Sequence, residues 1–144
     1  MRLRGRRIVG GFGEGIALVL KSPISFLEGV DSRGFIVDPE TGLEGRRISG
    51  RVLVFPWCRG STVGAYKIYS LSIMGLGPSA MVCREADIIS ATGCGIAGIP
   101  LVDRVQPDPL KTIRTGDHVK VYADLGLVEV SKRTLRPESP PRRS

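Results

Sequence analysis

A mixed α/β domain is the fold class that this sequence predicts, and three observations carry it. Short apolar runs alternate with helix-length segments through the centre, at Val52–Phe55, Ala80–Cys83 and residues 99–102, the rhythm of parallel strands joined by crossovers. Alternating or clustered apolar residues at 3–9, 16–20, 118–123 and 127–130 add strands from both termini, antiparallel to that centre. The 144 residues, 42% of them hydrophobic, suffice for one domain with its own core, without disulfides or metal.

In chain order, the strands at 3–9 and 16–20 are separated by the glycine turn Gly10-Gly11-Phe12-Gly13. That turn lacks the GxGxxG-then-helix arrangement of a dinucleotide site. Residues 21–50 are turn-rich and hold Val37-Asp38-Pro39-Glu40-Thr41-Gly42. Its acidic pair suits a cation or another subunit, and its Asp-Pro and Thr-Gly steps equally suit ordinary turns. Val52–Phe55 is short, apolar and rich in β-branched residues, as expected of a strand buried on both faces, and Pro56 stops it. Ala65, Ile68, Leu71 and Met74 then recur at helical spacing up to Gly75. Ala80–Cys83 precedes a helical segment at 85–92, residues 99–102 form the next strand, and Asp124-Leu125-Gly126 joins the last two strands as a hairpin. After Ser131 the chain turns to Pro, Arg and Ser, so the domain is expected over 1–131 and a basic, disordered tail over 132–144.

The net charge of +7 sits at the ends. Arg2, Arg4, Arg6, Arg7, Lys132, Arg133, Arg136, Arg142 and Arg143 stand against Glu138 alone, leaving the body between them close to neutral. A near-neutral body with 6% aromatics lacks the basic face and stacking platform of a nucleic-acid module, so no nucleic-acid partner is expected. No membrane association is expected either, because no apolar run approaches the roughly 20 residues that span a bilayer. The Arg-rich start makes a poor signal peptide, since the stretch after it is broken by Glu14 and several glycines.

Three cysteines, Cys58, Cys83 and Cys94, lie in or beside apolar segments. The odd number argues against a secreted disulfide framework and for a reducing cytoplasm. Their spacing is not that of a zinc site, the sole histidine, His118, starts a strand, and no local metal motif is present. The cysteines are therefore read as buried packing, and a Ser-His-Asp triad has no histidine to use.

What remains is Pro56-Trp57-Cys58-Arg59-Gly60-Ser61-Thr62-Val63-Gly64, between a buried strand and a helix. Ser61 or Thr62 caps that helix. Its first N–H groups are unpaired and its dipole end is positive, so an anion binds there or a nearby hydroxyl loses its proton more readily. Arg59 adds a permanent charge, and Gly60 and Gly64 clear side chains from the hydroxyl. The alternative is that Ser61 is an N-cap and nothing more.

Val37-Asp38-Pro39-Glu40-Thr41-Gly42, Gly50-Arg51-Val52-Leu53-Val54-Phe55-Pro56, Arg59-Gly60-Ser61, Pro78-Ser79-Ala80, Arg84-Glu85-Ala86-Asp87 and Ile99-Pro100-Leu101-Val102-Asp103-Arg104, in that order, resemble the swivel domain of aconitase X over roughly residues 1–130. The resemblance implies a swivelling β/β/α domain. It also implies that a free-standing chain of this length is the small subunit of a two-component hydro-lyase, active with a large subunit that holds a [4Fe-4S] cluster. The implied reaction dehydrates (R)-5-phosphomevalonate, a small phosphorylated hydroxy acid, to trans-anhydromevalonate 5-phosphate in the archaeal mevalonate route to isoprenoids. Ser61 would be the proton acceptor, with Arg59, Gly60 and Thr62 binding substrate; Arg59 either activates Ser61 or orients the substrate carboxylate. Two other readings accompany it: dehydration of another hydroxy acid such as hydroxyproline, and a non-catalytic module that closes a partner's active site. The family commonly has small residues before Arg-Gly-Ser and a second serine after it, where this chain has Trp57, Cys58 and Thr62.

Overall fold

The computed structural model of the chain describes residues 1–132. Seven strands, β1 (Arg2–Val9), β2 (Phe12–Val19), β3 (Val52–Phe55), β4 (Ala80–Cys83), β5 (Leu101–Gln106), β6 (His118–Tyr122) and β7 (Leu127–Ser131), close into a barrel in the order β1-β5-β4-β3-β2-β6-β7. β2 to β5 pair in parallel, and every pairing made by β1, β6 or β7 is antiparallel. The parallel centre is the expected one, and β1, β6 and β7 make only antiparallel pairs, as expected. β2, expected among the antiparallel strands, instead joins the parallel set by pairing its residues 17–19 with Val52, Leu53 and Val54 of β3. Closure of the barrel rests on Arg2, Leu3 and Arg4 of β1 pairing with Glu129, Val128 and Leu127 of β7, a contact across the whole chain that local pattern does not announce.

β2 differs from the expected strand at 16–20. It begins at Phe12, because residues 12–16 pair with Tyr122 back to His118 of β6, and the turn shrinks to Gly10 and Gly11. Gly13 is a strand residue for a steric reason: a Cβ there would collide with the Ser79 carbonyl oxygen. β5 likewise runs on to Gln106, past the expected 99–102.

The crossovers carry two long helices, α2 (Val63–Ile73) and α3 (Ile88–Ala97), and two single turns, α1 (Phe26–Gly29) and α4 (Pro109–Thr112). α3 starts at a capping box: Asp87 Oδ1 accepts from Ser90 N–H at 2.8 Å, and Ser90 Oγ accepts from Asp87 N–H at 3.2 Å. The turn-rich stretch 21–50 is more than a loop, since Ile24, Phe26, Val30, Ile36 and Ile48 are fully or almost fully buried.

Two cores follow from strand alternation. Val52, Val54, Ala80 and Val82 point into the barrel with Leu3, Val119, Val121 and Val128. Leu53, Phe55, Met81 and Cys83 point the other way, under Ile68 and Leu71 of α2 and Ile89 and Cys94 of α3. All eight residues of β3 and β4 are buried, which is why both read as unbroken apolar runs. Each fully buried Val or Leu contributes about 1.5–3 kcal/mol. The tail assigned to 132–144 lies outside the described residues except for Lys132, whose Nζ donates to Asp117 Oδ2 at 3.1 Å and to the Thr112 carbonyl.

Candidate functional site

β2, β3, β4 and β5 are parallel, so their carboxyl ends meet at one end of the barrel, the end where open α/β sheets bind ligands. The loop after β3 is fixed there by backbone bonds. Ile24 N–H donates to the Trp57 carbonyl at 3.2 Å, Arg59 N–H donates to the Ile24 carbonyl at 2.9 Å, and Cys58 bridges Ile24 in parallel. Beneath the loop, Arg84 and Glu85 N–H both donate to the Pro56 carbonyl at 3.2 Å. Cys58 is buried while Trp57 stays 46% exposed, so of the two departures that precede Arg59 one fills the core and the other lies on the open side.

Gly60 has φ +115°, a conformation that favours glycine, and lets the chain turn from the extended loop into the helix. Ser61 and Thr62 follow on an exposed surface. Thr62 occupies the N-cap of α2 in helical conformation and makes no side-chain capping bond. Ser61 Oγ accepts from Val63 N–H at 3.3 Å. Of the two expected capping side chains, therefore, neither makes a strong cap, and Ser61 offers a solvent-exposed oxygen to an N–H of the helix's first turn. A hydrogen bond donated to that oxygen, together with the positive end of the dipole, favours its negatively charged form.

Arg59 is held from a segment that sequence reasoning left open. Its Nη2 lies 3.6 Å from Asp38 Oδ2, with the Arg59 side chain 50% exposed and that of Asp38 13% exposed. Asp38 Oδ1 accepts from Glu40 N–H at 2.9 Å and its carbonyl accepts from Thr41 Oγ1 at 2.8 Å, so the Asp-Pro turn and the interaction with Arg59 coexist. Asp38 Oδ2 is buried without a hydrogen-bond partner among the described residues.

Other family-like motifs brace this end of the barrel. Asp103, fully buried, receives a two-pronged bond from Arg6 (Nε to Oδ1 2.9 Å, Nη2 to Oδ2 2.8 Å) and accepts from Ala86 N–H at 2.8 Å. Arg84 forks onto Asp108 in the same way, at 3.1 and 2.9 Å. His118 Nε2 sits 3.4 Å from Glu14 Oε1 on the antiparallel strands, in a structural place.

The three cysteines are buried free thiols. Burial pushes the pKa of each one up, and Cys94 Sγ packs 3.5 Å from Met81 Sδ. Among the described residues no group of three or more His, Cys, Asp or Glu is placed to hold a metal ion. The described residues therefore do not fit an iron–sulfur cluster, which needs a set of cysteine thiolates placed as ligands. No helix among them is long and apolar enough to cross a membrane.

A barrel of mixed strands that presents an Arg-Gly-Ser loop at the start of its first long helix defines a swivel-type α/β domain. The chain belongs to the aconitase X swivel domain family, whose model matches residues 2–130. It is 49% identical over 133 residues to the phosphomevalonate dehydratase small subunit of Thermococcus onnurineus, covering 92% of this chain and all of the relative. It is 46% identical over 132 residues to the protein of the same name from Methanocella arvoryzae, covering 91% and 100%. Among solved structures it is similar to Thermococcus kodakaraensis aconitase X in its holo-form, with a TM-score of 0.86, 44% identity and coverage of 92% of this chain and 99% of that one.

Proposed function

We propose that this chain is the small subunit of a phosphomevalonate dehydratase, acting with a large subunit on (R)-5-phosphomevalonate. The end-to-end similarity to relatives of that name carries the substrate assignment. The exposed Ser61 hydroxyl at the start of α2 carries the chemical one. Three buried thiols, none of them in a group placed to hold a metal ion among the described residues, support assigning the family's [4Fe-4S] cluster to the large subunit. Free cysteines also fit a reducing cytoplasm.

The reaction removes a proton from C2, beside the carboxylate, and hydroxide from C3, giving trans-anhydromevalonate 5-phosphate and water. A proton next to a carboxylate is weakly acidic, so its acceptor must be a strong base held in place. Ser61 as the alkoxide takes that proton on Oγ, stabilised by Val63 N–H and the helix terminus. Arg59 has five donors, and its half-exposed guanidinium retains some beyond those near Asp38. It binds the substrate carboxylate, while Gly60 and Thr62 shape the approach to Ser61.

Reconstitution with the large subunit and assay on 5-phosphomevalonate and hydroxyproline tests the assignment. Conversion of the first is expected. Conversion of hydroxyproline alone would overturn the substrate, and full turnover by Ser61→Ala would reduce this chain to a module that only closes the partner's site.

A further inference from the structure

At the same end of the barrel a cavity of about 510 Å³ opens between the end of β2, the segment after Asp38 and the stretch through α4. Three cations border it, Lys21, Lys111 and Arg114, and its lining contains no acidic residue. None of the three makes an ion pair within 4 Å among the described residues, and the carboxylate that acts on Lys111 from farther off, Asp108, is itself forked by Arg84. Like charges gathered at a concave surface raise its potential and draw in an anion. Its walls also include Val19, Leu110 and Ile113, which suit an aliphatic chain. Thr115 Oγ1 accepts from Val19 N–H at 2.9 Å, which leaves its hydroxyl proton as a further donor.

We propose that this cavity binds a phosphate monoester on a short aliphatic chain, the phosphate held by Lys21, Lys111 and Arg114 and the chain laid on Val19, Leu110 and Ile113. Both halves of the lining are needed, since inorganic phosphate uses only the charges and a neutral alcohol only the apolar wall. Two sources share this chemistry. One is the far end of the dehydration substrate, because the 38–43 segment runs from Arg59 to the cavity, with Asp38 at one end and Leu43 at the other. The other is a separate phosphorylated metabolite.

Calorimetric titration of the full chain at low salt with n-butyl phosphate, inorganic phosphate and n-butanol tests the binding. Butyl phosphate is expected to bind at least ~10-fold more tightly than either control, since every 1.4 kcal/mol is tenfold. The Lys21→Ala/Lys111→Ala double variant should weaken it ~10-fold or more with its melting temperature retained, and Arg114→Ala should do the same. Absence of binding, equal affinity for inorganic phosphate, or binding that these variants leave unchanged would overturn the proposal.

The second arm rests on the dehydratase assignment and uses the reconstituted two-subunit enzyme. A raised KM for 5-phosphomevalonate at unchanged kcat in the double variant makes the substrate's own phosphate the occupant. An unchanged KM, with butyl phosphate binding lost, makes it a separate ligand. An enzyme inactive on 5-phosphomevalonate would remove the function proposed above and leave the binding result standing.

Discussion

Arg59 Nη2 stands 3.6 Å from Asp38 Oδ2, and that carboxylate oxygen is buried with no hydrogen-bond donor among the described residues. One charge therefore restrains another that, under the proposed function, binds the substrate carboxylate. An ion pair so exposed on the arginine side is worth less than about 1 kcal/mol of stability. Its consequence is expected in binding. Asp38→Asn keeps an acceptor for Glu40 N–H but loses the charge that positions Arg59. In the reconstituted enzyme KM should rise about tenfold, equivalent to ~1.4 kcal/mol, with kcat changed less and the melting temperature held. An unchanged KM would show that Asp38 does not orient Arg59.

Ser61→Ala separates chemistry from architecture. The bond that Ser61 Oγ accepts from Val63 N–H is long, at 3.3 Å, so its loss should cost no more than about 1 kcal/mol. As the proton acceptor, Ser61 is expected to account for roughly 10²- to 10⁴-fold in kcat. Thermal unfolding and single-turnover kinetics on the same preparation read both quantities. A variant that assembles normally and keeps its turnover would discard the base assignment.

What the sequence made legible follows from where each signal lies. Val52–Phe55 and Ala80–Cys83 were readable because burial on both faces writes an unbroken apolar run. The Arg59-Gly60-Ser61 loop was readable because strand, glycine, hydroxyl and helix are contiguous. Gly13 was misassigned to a turn, since a strand glycine excluded by a neighbouring carbonyl looks the same in sequence as a turn glycine. The Asp38–Arg59 ion pair, the pairing of Arg2–Arg4 with β7 and the grouping of Lys21 with Lys111 and Arg114 were invisible, because each joins residues that only the closed barrel brings together.

The thiols offer a check on how the two subunits divide their labour. Desolvation raises the pKa values of Cys58, Cys83 and Cys94, so little thiolate forms at neutral pH to attack a reagent or bind iron. In the native chain they should react with a thiol reagent far more slowly than after unfolding. Anaerobic incubation with iron and sulfide should leave the isolated chain without a cluster. Stoichiometric iron and sulfide, lost when the three cysteines are replaced, would move the cluster onto this subunit.

Acid should loosen the barrel end that carries the serine loop. Burial alone would raise the pKa of Asp103, but the two-pronged bond from Arg6 and the Ala86 N–H outweigh it and hold the carboxyl below its ordinary value. The Arg84 fork lowers Asp108, and Phe35 N–H lowers Asp31. Each folded-state pKa lies below the unfolded value of about 3.9, so the unfolded chain binds more protons on acidification. The stability these groups supply is thus complete above the unfolded value and is lost as pH falls through the folded one. The urea midpoint should hold steady near neutrality and drop below about pH 4. Asp103→Asn should cost about 1.5–3 kcal/mol at pH 7, the range for hydrogen bonds to a charged group, and should flatten the decline in acid. If the variant kept the wild-type slope between pH 5 and pH 3, the acid lability would have to arise from carboxylates away from this end of the barrel.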